Sequence, residues 1–220
     1  MPEKKIKVAV IEDEALFCEM LVGALSRQAG MEVVATAEEG EEAIAIARDA
    51  APDVVVMDIE LAGEMDGIEA ALAIKKENPS IGIVILSSHD DPRYLTSLPL
   101  GESAGWAYLL KQTVRNLSTV VLAIEGCARG MVVMDPSLMA KLSPRVGSVV
   151  DRLTPRQQEV LRLLAEGLSN AAIARELALE EKSVEGYINV IYQHLSLSGE
   201  PEINMRVKAA LAFLKSSRVR

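Results

Sequence analysis

Two short acidic runs, "IEDE" at 11–14 and "MDIE" at 57–60, place Glu12, Asp13 and Asp58 directly after stretches of β-branched and aliphatic residues. Three carboxylates brought together repel one another and need a cation, and a cluster of hard oxygens suits Mg²⁺. A metal-bound aspartate can act as a nucleophile toward a phosphoryl group, because the ion neutralises charge on the transferring oxygens. Lys111 would supply a second positive charge and Ser87 a hydroxyl for a phosphoryl oxygen. Taken singly, each has an ordinary reading: a loop Asp caps or turns, a Lys after a strand is solvated, and a Ser bonds backbone. Their joint placement after four strand-like runs points to chemistry.

The elements that must hold these residues follow from periodicity. "IKVAVI" (6–11), "MEVVATA" (31–37), "DVVVMDI" (53–59), "IGIVILS" (81–87) and "WAYLLK" (106–111) predict five strands. Segments with helical spacing lie between them, at 15–28, 40–49, 67–78 and 92–100, with a fifth at 113–126. Near-continuous apolar strands alternating with amphipathic helices imply a doubly wound α/β domain with a five-stranded parallel sheet. In such sheets ligands bind at the carboxyl ends of the strands, where the acids, Ser87 and Lys111 fall.

The chain has 220 residues, half of them hydrophobic but with only one Trp, four Tyr and two Phe, so its core is aliphatic and two domains are expected. Cys18 and Cys127 match no metal or redox spacing and read as buried thiols of a reducing compartment. The N-terminal apolar run is too short for a secretory signal, and no run approaches the roughly 18 residues needed to span a bilayer. A cytoplasmic protein without membrane contact is the expectation.

Residues 6–126 resemble the receiver domain of two-component response regulators, on Glu12 and Asp13, Asp58 in "VVVMDIE", Ser87 in "VILSS", and Tyr108 and Lys111 in "YLLK". The resemblance implies Asp58 as phosphoacceptor for a sensor histidine kinase. It implies Asp13 and Asp58, with the Glu60 backbone carbonyl, as Mg²⁺ ligands and Glu12 as an outer-sphere helper. Ser87 and Tyr108 would form the switch pair, and Lys111 would contact the phosphoryl group. Departures are the long loop "IELAGEMDG", Gln112 where a Pro is usual, and Pro99 inside the fourth helix.

After Gly126 a short helix from Pro136 to Leu142 and a Ser/Pro/Gly-containing linker at 143–151 precede an all-helical region. Thr154 before Pro155 is an N-cap signal and Gly167 a C-cap signal. Further helices are predicted near 170–177, 181–195 and 204–216. "LTPRQQEVLRLLAEGLSNAAIARELAL" resembles the first two helices of the LuxR-type helix-turn-helix, and the whole chain resembles the NarL/FixJ family. The implied layout is a receiver domain over 1–128, a connecting short helix and linker over 129–151, and an output domain over 152–220. Such a protein is no enzyme in the ordinary sense, since it accepts a phosphoryl group and slowly loses it. A metal-dependent phosphatase using the same carboxylates is the enzyme-class rival.

The resemblance makes "LEEKSVEGYINVIYQHL" a recognition helix by position, yet its first turn is acidic. With Val184, Ile188, Ile191 and Leu195 facing inward, Lys182, Glu185, Gly186, Asn189 and Gln193 are the candidates for DNA contact. Asn189 and Gln193 can bond adenine, and Glu185 can accept from cytosine. Phosphate neutralisation would fall to Arg156, Arg162, Arg175, Arg206 and Lys208 on flanking helices. Residues 151–220 hold ten Lys/Arg against nine Asp/Glu, a net of +1, so residues 1–150 carry −10 and the acidity belongs to the first domain. The small-residue face of Ala209, Ala210 and Phe213 is either a dimer contact, as the resemblance implies, or core packing. The expected protein regulates transcription as a homodimer on promoter DNA when phosphorylated; the alternative is a phosphoswitch whose helical domain binds another protein.

Overall fold

The computed structural model describes residues 5–88, 105–115, 117–197 and 204–219. They fall into two compact units, divided after Gly130. The first contains β1 (Ile6–Ile11), α1 (Ala15–Leu25), β2 (Met31–Ala37), α2 (Gly40–Asp49), β3 (Val54–Asp58), α3 (Gly67–Glu77), β4 (Gly82–Ser87), β5 (Trp106–Leu110) and α4 (Leu117–Ala128). The strands pair in parallel in the order β2-β1-β3-β4-β5, so the winding reverses between β1 and β3. β3, β4 and β5 are buried throughout, which is why their sequences show no polar alternation.

The predicted strands agree to within a residue at each end. The fifth predicted helix divides, with a 3₁₀ turn over Lys111–Arg115 ahead of α4. The helix predicted at 92–100, with Pro99, lies outside the described residues. Asp66 caps α3 in a reciprocal box with Glu69. No described helix is long and apolar enough to cross a membrane.

The second unit comprises β6 (Val132–Met134), α5 (Pro136–Lys141), β7 (Leu142–Pro144), α6 (Pro155–Ala165), α7 (Asn170–Glu176), α8 (Glu181–His194), α9 (Met205–Ser216) and β8 (Ser217–Val219). Thr154 and Gln157 form a capping box with Pro155 in the first turn of α6, and Gly167 at φ +87° ends the turn behind it. A Cβ on Gly167 would lie 2.9 Å from Val133, so β6 seals this corner. α8 buries Val184, Ile188 and Ile191 against α6 and α7. The sequence shows no sign of one feature: β7 pairs antiparallel with β8, joining residues 142–144 to 217–219.

Candidate functional site

β1 and β3 are neighbours in register, Ile11 beside Met57, so their carboxyl ends deliver Glu12, Asp13 and Asp58 to one place. One carboxylate oxygen from each lies within 4.8 Å of the others. Asp13 is exposed, while Glu12 and Asp58 are 1% and 2% exposed. Glu12 Oε2 and Asp58 Oδ1 are buried and take no hydrogen bond from the described residues. Hard anionic oxygens left without donors fit an oxygen-seeking divalent cation, with the exposed Asp13 giving access.

Lys111 enters from the end of β5. Its Nζ donates at 2.8 Å to Glu12 Oε1 and at 2.8 Å to Asp58 Oδ2. The ring of Phe17, from α1, lies 4.8 Å from the same ammonium. Two of its three N–H donors are thus occupied by carboxylates, and an aromatic face shields the group.

Burial drives the electrostatics. It pushes the Glu12 carboxyl up to about 7, against the Lys111 hydrogen bond and helped by the neighbouring Asp58 charge. Burial also raises Asp58, opposed by Lys111 and by the backbone amides of Ile59 and Glu60. Burial alone would lower Lys111, but its bonds to Asp58 and Glu12 outweigh this and raise it. Both buried carboxyls are therefore harder to ionise than in water, and a further cation beside them would favour their charged forms.

Ser87 ends β4 and is buried, and Tyr108 lies on β5 opposite Ile85, fully buried. The loop behind Asp58 is anchored at its far side: the Ala62 amide donates to the Glu38 carbonyl, Ala62 bridges Glu39, and Met65 lies where a Cβ on Gly40 would be. A Cβ on Gly67 would fall 1.8 Å from the Asp58 carbonyl oxygen, so the start of α3 presses directly against β3. Phe17 and Gly67 escape sequence reasoning, because an aromatic on an apolar helix reads as core and a glycine after Asp as a turn.

In the second unit Lys182, Glu185, Gly186, Asn189 and Gln193 are all exposed on α8. Of the flanking cations, Arg206 turns inward. It donates to Asn170 Oδ1 at 3.0 Å and to the Leu168 carbonyl, and burial pulls its guanidinium below the usual range. Arg156 bonds Glu159 and the Leu177 carbonyl, and Arg162 pairs with the buried Glu166. Arg175 remains exposed. The expectation that these arginines present a cationic rim is thus corrected for Arg206, whose two terminal nitrogens are committed to Asn170 and the Leu168 carbonyl. Ala209, Ala210 and Phe213 are buried as α9 packs on α6. Among the described residues of this unit that face is core packing.

Comparison with known proteins agrees with both units. Residues 8–122 match the response regulator receiver domain, and 151–207 match the luxR family of bacterial regulatory proteins. The chain is 33% identical to the regulatory protein NarL of Mycobacterium tuberculosis over 199 residues, covering 89% of this chain and 90% of that one. The solved receiver domain of that NarL covers 58% of this chain and 98% of its own, with 32% identity and a TM-score of 0.52. A structure of the RcsB response regulator of Salmonella typhimurium, studied for its DNA interaction, shares the fold over 98% of this chain and 99% of that one, with 22% identity and a TM-score of 0.51.

Proposed function

Because this chain belongs to the response regulators that join a receiver domain to a luxR-family output domain, we propose that Asp58 is its phosphoacceptor and that the helical unit binds promoter DNA. The carrying observation is Lys111, held at 2.8 Å from both Glu12 and Asp58 at the carboxyl edge of the sheet. A cation already placed on the acceptor is positioned for the oxygens of an incoming phosphoryl group.

In the proposed reaction an Asp58 carboxylate oxygen attacks phosphorus on a sensor kinase's phosphohistidine. The P–N bond breaks, the imidazole leaves with the bonding pair, and an acyl phosphate forms. Mg²⁺ held by Asp13, Asp58 and the Glu60 carbonyl, with Glu12 in the outer sphere, would neutralise the phosphoryl oxygens. Lys111 gives up Asp58 and bonds the new phosphoryl oxygens, while Ser87 and Tyr108 rearrange, shifting the population to an active state. Water later attacks the same phosphorus, the bond from phosphorus to the Asp58 oxygen breaks, and inorganic phosphate leaves as the carboxylate is restored. The active form then dimerises on DNA.

The test is phosphorylation by a small-molecule phosphodonor with and without Mg²⁺. Label should appear on wild type only with the metal and be absent from Asp58→Asn. Mobility-shift titrations at several salt concentrations then test the output, since a DNA complex must weaken as salt rises. The acidic start of α8 and the committed arginines favour one rival, an output unit that binds protein. A phosphorylated chain that forms no salt-sensitive complex with any promoter fragment would support that rival.

A further inference from the structure

α8 carries a glycine at its centre. Gly186 lies between Glu181 and His194, five residues from the nearer end, where glycine is among the least favourable residues for a helix. Internal packing gives no reason for it. A Cβ built at Gly186 meets nothing within 4 Å, and the residue is exposed. By contrast, a Cβ at Gly67 or Gly167 would collide with neighbouring atoms of the chain. The bare backbone at 186 is thus open to an outside partner rather than filled by the chain.

The surroundings of Gly186 suggest what that is. Asn189, Val190 and Gln193 follow at i+3, i+4 and i+7, and Lys182 precedes at i−4, so all share one face. Val190 is 45% exposed, one of few large apolar side chains left in solvent among the described residues, while the inward face already has Val184, Ile188 and Ile191. A bare backbone patch beside an exposed branched methyl pair, flanked by two carboxamides, matches the edge of an A·T pair in the major groove. There thymine offers a C5-methyl group and adenine an N6/N7 pair.

We propose that Gly186 is a specificity residue: it lets the α8 backbone approach a base pair more closely than any side chain would allow, seating the Val190 methyls on a thymine methyl. This rests on the DNA-binding reading above and goes further by naming the base and the reason for the glycine. Recognition by close contact also suits a helix with few cations, since dispersion and carboxamide contacts do not depend on neutralising phosphate.

The experiment uses the full chain treated with phosphodonor and Mg²⁺, and a duplex selected from a random library by the wild-type protein. Gly186→Ala should raise the melting temperature, corresponding to about a fivefold gain in the folding equilibrium. It should weaken the selected duplex about tenfold or more, with binding to random duplex unchanged. Replacing single thymines of the site by uracil, which lacks the methyl, should weaken wild type at one position per half-site. The same replacement should leave Val190→Ala unaffected. A more stable Gly186→Ala that binds the selected duplex as tightly as wild type overturns the proposal while leaving DNA binding intact. A wild-type chain that selects no duplex overturns the DNA reading, and this proposal with it.

Discussion

Glu12 is the residue whose protonation should be visible in the stability of the metal-free protein. Its carboxyl is pushed from 4.5 up to about 7 by burial, so between those values the folded chain holds a proton that the unfolded chain has released. Stability from this group is fully present below 4.5 and lost as pH rises through 7. Denaturant titrations in chelator should show the first unit weakening as pH increases across that window, and Glu12→Gln should flatten the trend. A trend of the same size in the Gln variant would show that Glu12 is not its source. Phe17 makes the second prediction at this scale. With its ring 4.8 Å from Lys111 Nζ, Phe17→Leu removes a contact worth roughly 0.5–2 kcal/mol. Phosphorylation by a small donor should slow by a few-fold and recover in Phe17→Tyr; equal rates in the Leu and Phe forms would leave the ring no part in placing the ammonium.

Elements, rather than single residues, explain why the site is rigid. β3 and α3 meet so closely at Gly67 that any side chain there must displace the Asp58 carbonyl. Gly67→Ala should therefore destabilise the first unit by several kcal/mol, in the range of overpacked or strained core sites, and abolish labelling of Asp58. Calorimetry and the phosphodonor assay measure the two effects. In the helical unit Arg206 joins α9 to the α6–α7 turn through Asn170 and the Leu168 carbonyl. Arg206→Met should lower stability by about 2–3 kcal/mol through the lost charged hydrogen bonds, a shift that chemical denaturation would register. Most strands and helices were legible because burial on both faces of a sheet and on one face of a helix imposes distinct periods. Arg206 was not, since a cation in a helix ordinarily reads as solvated, and only the fold shows its carbonyl partner 38 residues away. The three-residue strands β7 and β8 were equally silent: they are too short to display alternation, and their pairing spans more than seventy residues.

At the scale of the whole molecule, charge sets how the protein meets DNA. The chain carries −9 overall, and in the output unit Arg156, Arg162 and Arg206 are engaged in contacts within the domain. With Arg175 and Lys182 as exposed cations on the two helices of the motif, few counterions would be released. The salt slope of log K should be shallow, on the order of −2 per protomer at about −0.9 for each phosphate contact. Glu185→Lys should steepen it by nearly one; an unchanged slope would place α8 away from the phosphates. The carboxylate cluster was readable in advance because a parallel sheet collects the ends of its strands. The weak cationic surface was not, because composition counts arginines without saying what they hold. The pairing of β7 with β8 has a consequence of a different kind. Leu142 and Val219 lie side by side at either end of the four helices α6 to α9, so this stretch of the second unit is a segment with adjoining ends. It could be grafted into a surface loop of another protein, or its ends joined and new ones opened elsewhere, without stretching its frame.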